Sequence, residues 1–187
     1  MNNTLHSAMQ SENNPTGLSH PETDDLLERV TEQITFDTFD PTDQALLKQL
    51  VECLGDTRGM VRLRCAETLA EIGETATPFL LDALAHHTNV VVRRAAAKTI
   101  TLIADPTAIP TLVNSLFHDE DTVVKGSSIG ALARMGEASV PILLEILASP
   151  ERPESMKGHA AWALAFIGAE AKEYLYEAIA SDSPEVR

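Results

Sequence analysis

The side chains best suited to chemistry in this 187-residue chain crowd into one short stretch, Gly158-His159-Ala160-Ala161-Trp162-Ala163-Leu164-Ala165-Phe166-Ile167-Gly168. Eight residues of the whole chain are aromatic, and Trp162, Phe166, Tyr174 and Tyr176 fall within fifteen positions. A ring stacks on a flat conjugated ligand, an imidazole supplies an N–H or a proton, and cations pair with carboxylates. His159, Trp162 and Phe166 are spaced three and four apart, so a helix would set them on one ridge. Lys98, Arg134 and Lys157 are the cations nearest that ridge in the pattern described next. Together they suit a large, flat, anionic ligand. The plainer alternative is that a further helix or loop covers the rings as ordinary core.

The elements that would position these groups are set by a repeat. Val61-Arg62 recurs as Val92-Arg93, Val124-Lys125, Met156-Lys157 and Val186-Arg187, at steps of 31, 32, 32 and 30 residues. A period of this length marks units too small to bury their own apolar faces, which must stack on their neighbours. Counting from the Val, the fourth residue on is small (Cys65, Ala96, Ser128, Ala160) and the fifth apolar (Ala66, Ala97, Ile129, Ala161). The eighth and eleventh are apolar too (Leu69, Ile100, Leu132, Leu164; Ile72, Ile103, Met135, Ile167), and Gly or Ala stands at the twelfth. At about 100° per residue these positions form one buried stripe. The sixth position points away from it and carries Glu67, Lys98, Gly130 and then Trp162.

A second apolar segment follows each first one, as in Pro78-Phe79-Leu80-Leu81-Leu84 and Pro141-Ile142-Leu143-Leu144-Leu147. Each unit is thus a helical hairpin. The spacing predicts inner helices near 60–72, 90–103, 122–135 and 155–167, and a first outer helix over 44–54. Thr77 before Pro78 and Asp40 before Pro41 have the form of N-caps with proline in the first turn. The expected fold is all-α, a right-handed α-solenoid of helical hairpins, without strands.

Three regions are expected. Residues 1–20 are polar and lack apolar periodicity, the signature of a disordered tail. Residues 21–39 hold an amphipathic capping helix with Leu26, Leu27, Val30 and Ile34, and a linker. Residues 40–187 form the repeat array, truncated or open at its C-terminal end, because Ser183-Pro184-Glu185-Val186-Arg187 reads as the start of a further inner helix. An open end of this kind is a surface for association, a homodimer included.

Composition excludes several functions. Net charge is −14 and no basic cluster offers a phosphate-neutralising surface, so nucleic acid is not an expected partner. No apolar run approaches the ~18 residues of a membrane span, and the expected location is cytoplasmic. Cys53 and Cys65, with no Cys-x-x-Cys, read as reduced packing residues. His86 and His118 fall in equivalent turns, near His87 and Asp119, and read as solvated loop residues; no metal site is expected. Lys125-Gly126-Ser127-Ser128 faintly suggests a phosphate loop but lies within a helical pattern, and no hydrolase motif is present. The basic residue after each Val has Asp56, Asn89, Asp121 or Asp182 shortly before it, which predicts ladders of charge and hydrogen bonds between units, worth about 0–1 kcal/mol per partly exposed pair.

The hairpins resemble HEAT-like repeats, with "P-x-L-L-x-x-L" outside and "V-R-x-x-A-x-x-A-L-x-x-I-G" lining a concave side, over roughly residues 40–187. The ring-flanked "A-A-W-x-L-x-x-I-G" helix is similar to the phycobilisome lyase repeat family, whose members handle open-chain tetrapyrroles on phycobiliproteins. Gly158 and His159 replace the tyrosines that often precede the Ala-Ala pair in attaching lyases, and Ala163 replaces a second tryptophan. The polar N-terminus, short array and acidic character resemble the branch implicated in detaching bilins when the antenna is dismantled.

The resemblance implies a phycobilin of phycocyanobilin type as ligand or substrate, no tightly bound cofactor, phycobiliprotein subunits as partners, and a place at the phycobilisome on the thylakoid surface. The reaction would be cleavage or formation of a bilin–cysteine thioether. In that setting Trp162 and Phe166 would hold pyrrole planes and His159 would shuttle a proton. Glu67 or Glu71 would pair with a protonated pyrrole, and Arg64, Lys98, Arg134 and Lys157 would meet propionates. Two other readings stand beside detachment and attachment: a non-catalytic protein-interaction adaptor, and a scaffold for metallocofactor assembly.

Overall fold

A computed structural model describes residues 17–168, 172–184 and 186. The described residues form helices and connecting turns without strands: α1 (His20–Thr35), α2 (Gln44–Glu52), α3 (Gly59–Ile72), α4 (Thr77–His86), α5 (Val90–Ile103), α6 (Ile109–His118), α7 (Thr122–Arg134), α8 (Val140–Ala148), α9 (Glu154–Ile167) and α10 (Lys172–Ile179). This is an all-α fold of the solenoid class, made of helical hairpins. The chain divides into two compact units, Met1–Thr99 and Ile100–Arg187, with the boundary inside α5.

In the N-terminal unit α1 and α2 pack on α3, and α2 on α4. Helix α1 begins one residue inside the stretch read as polar tail. Ser19 and Glu22 form a capping box, in which the Ser19 N–H donates to Glu22 Oε2 at 2.8 Å and the Glu22 N–H is aimed at Ser19 Oγ at 3.5 Å. Residues 1–16 of the expected tail lie outside the described residues. Leu26, Leu27 and Val30 of α1 are buried and Ile34 is half-buried, so the helix covers the array with the face its periodicity marks. Arg58 fastens it: the guanidinium holds Asp24 of α1 at 2.9 Å and the buried Asp56 at 3.1 Å.

In the C-terminal unit α6 packs on α7, α7 and α8 on α9, and α8 on α10. Both cores are layers of leucine: Leu47, Leu50, Leu69, Leu80 and Leu84 in one, Leu112, Leu116, Leu132 and Leu143 in the other, all fully buried. Each such side chain contributes about 1.5–3 kcal/mol. The fourth position of the repeat is buried without exception (Cys65, Ala96, Ser128, Ala160), and so is the eighth. The fifth departs from the pattern, for Ala66 is half-buried and Ala161 exposed. Helix α9 rests on α7 and α8, which leaves Ala161 on its open side.

The Val-Arg signature has a local cause. Val61, Val92 and Val124 are buried. Arg62 Nη1 donates to the carbonyls of Asp56 (2.6 Å) and Thr57 (3.0 Å), and Arg93 Nη1 to those of His87 (3.0 Å) and Thr88 (3.3 Å). Both arginines therefore bond the carbonyls six and five residues back and close the loop entering their own helix. They act as loop staples within a unit, a role that the recurrence of the Val-Arg pair did not by itself reveal. Lys157 instead reaches Glu154 of its own helix at 3.3 Å, and Arg187 lies outside the described residues.

Two expected caps are corrected. Thr77 is the first residue of α4, its hydroxyl buried without a partner, and Ala76 precedes it. Asp40 binds Thr42, while Asp43 caps α2 by accepting from the Leu46 N–H at 2.9 Å. In both places proline marked the neighbourhood of a helix start but not its cap, because the preceding turn supplied the bonding. The helix start read at 183–187 falls partly outside the described residues.

Candidate functional site

The exposed face of α9 carries the rings. Its buried face is filled by Ala160, Ala163, Leu164 and Ile167, so helical geometry turns His159, Trp162 and Phe166 outward. Trp162 is 53% exposed and Phe166 56%. Their rings stack, with centroids 5.7 Å apart and planes at 28°. His159, one turn before Trp162, is exposed. Tyr176 of α10 is also exposed, with Lys172 Nζ 5.8 Å from its ring centre; Tyr174 is half-buried.

The cations divide by their surroundings. Arg134 ends α7, exposed and with no ion pair among the described residues. Lys157 has a largely covered side chain tied to Glu154, so it enters the site only by giving up that partner. Arg64, Glu67 and Glu71 are exposed on α3, and Lys98 on α5. These four belong to the N-terminal compact unit, whereas His159, Trp162, Phe166, Arg134 and Lys157 belong to the C-terminal one. Within that unit, α7 packing on α9 places Arg134 and the ring pair on adjoining helices.

Other titratable groups have structural settings. Cys53 and Cys65 are free and fully buried. A hydrogen bond from Cys65 lowers the Cys53 thiol, and the same bond, followed by burial, pushes Cys65 well up. Neither is poised as a nucleophile toward solvent. His118 Nδ1–H donates to the Asn114 carbonyl at 3.0 Å, and His86 Nδ1 meets Asp82 at 3.0 Å, both at the surface. Among the described residues no group of three or more His, Cys, Asp or Glu side chains could hold a metal ion, and no helix is long and apolar enough to cross a membrane.

His87 differs from the solvated loop residue expected. Its Nδ1 accepts from the Asn89 N–H at 3.0 Å, which places the proton on Nε2, where Glu52 accepts at 3.2 Å. It thereby ties α2 to the start of α5. Beside it lies a cavity of about 450 Å³ between α2 and α4, with Lys48, Glu52, Phe79, Asp82 and His86 in its lining. No sequence spacing pointed to this cavity, because its two walls come from separate hairpins.

Comparison with known proteins places these observations in a wider setting. The HEAT repeats family matches residues 77–165 and 116–187. The PBS lyase HEAT-like repeat family matches residues 61–86. The bilin biosynthesis protein MpeU of Synechococcus sp. (strain WH8020) is 38% identical over 88 residues, 47% of this chain and 30% of that protein. The chain thus spans about a third of the length of that curated relative. Among solved structures, the complex of CpcE and CpcF of phycocyanin lyase from Nostoc sp. PCC7120 aligns at 21% identity and a TM-score of 0.45, over 96% of this chain and 77% of that one.

Proposed function

We propose, from the premise that this chain belongs to the family of HEAT-repeat proteins, that it is a bilin-lyase-type protein which presents an open-chain tetrapyrrole to a cysteine of a phycobiliprotein subunit. The observation that carries this reading is the exposed, stacked pair of Trp162 and Phe166. Two large rings held at the surface, uncovered by any of the described residues, mark a binding face. A linear tetrapyrrole, flat in segments and bearing two propionates, matches rings whose neighbouring helix ends in the exposed guanidinium of Arg134. The likeness of part of the chain to a bilin biosynthesis protein and to a PBS lyase repeat supports the same class.

In this reading Trp162 and Phe166 stack on pyrrole planes and Arg134 meets a propionate. Attachment adds the carrier's S–H across a carbon–carbon double bond of the pigment: sulfur bonds one carbon and the other takes a proton, with no oxidant consumed. His159, exposed on the same ridge, would deliver that proton in this reading. Detachment, as in the non-bleaching phycobilisome degradation protein, reverses these steps and would use the same face. The relative's name favours the biosynthetic direction.

The test is a titration of free phycocyanobilin into the protein, followed by visible absorption, alone and with an apo-phycobiliprotein subunit. A shifted pigment band that disappears in Trp162→Ala supports the reading, and pigment remaining on the carrier under denaturing electrophoresis assigns attachment. An unchanged spectrum in both mixtures refutes bilin handling. Loss of pigment from a loaded subunit, without attachment to an empty one, reassigns the direction to detachment.

A further inference from the structure

The ring-bearing face of α9 adjoins a part of α7 almost bare of side chains. Gly126, Ser127 and Gly130 stand there at the second, third and sixth positions of the repeat, where α3 has Leu63, Arg64 and Glu67. A Cβ added to Gly126 or Gly130 meets no atom within 4 Å. Packing therefore does not require either glycine, and neither has a left-handed backbone. Glycine is nonetheless the least favourable residue after proline in a helix interior, since it loses the most freedom and leaves the backbone unshielded. Among the described residues nothing fills the space above these two positions, which leaves it open to a body from outside the chain.

Two other observations point to that body. Trp162 holds the sixth position of α9, the counterpart of Gly130 in α7, and helices packed in this way lie about 8–10 Å apart. The exposed indole thus stands on the helix next to a stretch of α7 that carries no side chain at the equivalent position. Arg134 lies four residues after Gly130 on the same helix, exposed and unpaired among the described residues.

Taking the bilin reading above as its basis, we infer that Gly130, with Gly126 beside it, is the specificity-determining element of the ring site: it leaves the clearance in which a flat, carboxylate-bearing pigment lies against α7, with an acid group at Arg134. A side chain at position 130 stands where the ring plane goes. The equivalent positions of α3 and α5 carry the long side chains of Glu67 and Lys98.

The inference is tested with the full chain carrying Gly130→Ala, Gly130→Gln, Gly130→Leu or Gly126→Leu, titrated with free phycocyanobilin while thermal midpoints are measured in parallel. Affinity is expected to fall in the order Gly, Ala, then Gln and Leu, by at least tenfold for Leu. The midpoints should stay level or rise by about 2–4 °C, because each variant is a better helix former. Arg134→Gln should weaken binding of the free acid while leaving the pigment's dimethyl ester unaffected. Undiminished binding by Gly130→Leu with a raised midpoint overturns the clearance and leaves the bilin reading intact. No binding by the unsubstituted chain overturns the bilin reading, and the clearance with it.

Discussion

Trp162 and Phe166 lie one helical turn apart with stacked rings, centroids separated by 5.7 Å, on a face of α9 that nothing covers among the described residues. Pairs of this kind gain about 0.5–1.5 kcal/mol from the ring contact. Here the contact also preorganises a flat platform, because each ring limits the rotamers of the other.

Trp162 is the chain's single tryptophan, so intrinsic fluorescence reads this site directly. We expect a water-exposed emission maximum, efficient acrylamide quenching, and protection from acrylamide by bound pigment. Trp162→Ala should cost at most about 1.5 kcal/mol of stability, whereas Leu164→Ala on the buried side of the same helix should cost about 2–5 kcal/mol. Urea unfolding of the two variants checks the contrast; equal losses would mean that the indole is core.

Helix ends offer a second test. The twelfth position of each repeat has a left-handed backbone: Gly73 (φ 76°), Gly136 (φ 58°), Gly168 (φ 56°) and, alone without glycine, Ala104 (φ 57°). A Cβ at positive φ costs about 1–3 kcal/mol. Ala104→Gly should therefore stabilise by about 1 kcal/mol, although glycine is generally the worse residue near a helix, and Gly73→Ala should lose a similar amount. Calorimetry decides, and a destabilised Ala104→Gly would contradict the backbone assignment.

The loop staple predicts a loss that a surface charge would not. Arg62→Met removes the donor bonded to the carbonyls of Asp56 and Thr57 and should cost about 1–2 kcal/mol. Because these are short bonds to backbone oxygen, the loss should persist in 0.5 M salt, whereas an exposed ion pair would be screened. Chemical denaturation at two ionic strengths separates the cases.

Both thiols should resist modification. Cys53 and Cys65 are fully buried, and burial, after the bond to Cys53, holds Cys65 in its thiol form. The folded protein at pH 8 should yield no reactive thiol to a disulfide reagent, and two on unfolding. Rapid reaction of one thiol in the native state would refute the packing role.

The acid limb of stability contains a legible contribution from α1. The Ser19 backbone N–H, then its hydroxyl, holds the Glu22 carboxyl below the usual glutamate value. A carboxyl lowered in the folded state stabilises fully above its unfolded value of about 4.3, and the contribution disappears as pH falls through the folded value. Glu22→Gln should flatten stability between pH 5 and pH 3 while changing little at pH 2. Parallel curves for the two proteins across that range would rule the capping box out as an acid-sensitive contact.

The repeat was legible in the sequence because its cause is local and recurrent. A small residue at the fourth position and an apolar one at the eighth are required wherever one hairpin stacks on the next, so the period, the helix limits to within a residue or two, and the outward side of Trp162 follow from counting along 3.6 residues per turn. Chemistry-bearing residues on a single helix, His159, Trp162 and Phe166, were legible for the same reason. Their grouping with Arg134 needed only the neighbouring hairpin.

Contacts between residues far apart in the chain, or resting on backbone oxygen, left no periodic trace. Arg62 and Arg93 recur with the repeat, yet only coordinates show that they bond loop carbonyls, since any residue type presents the same carbonyl. Exposure of Ala161 depended on which helices flank α9, and the pairing of Lys157 with Glu154 on rotamers. The division into two compact units likewise falls within α5, where the amphipathic pattern is uninterrupted. Sequence alone therefore determined which face each helix turns outward, because that is set by rotation about one axis. Tertiary structure decided what stands opposite each face, because this depends on the packing of separate axes.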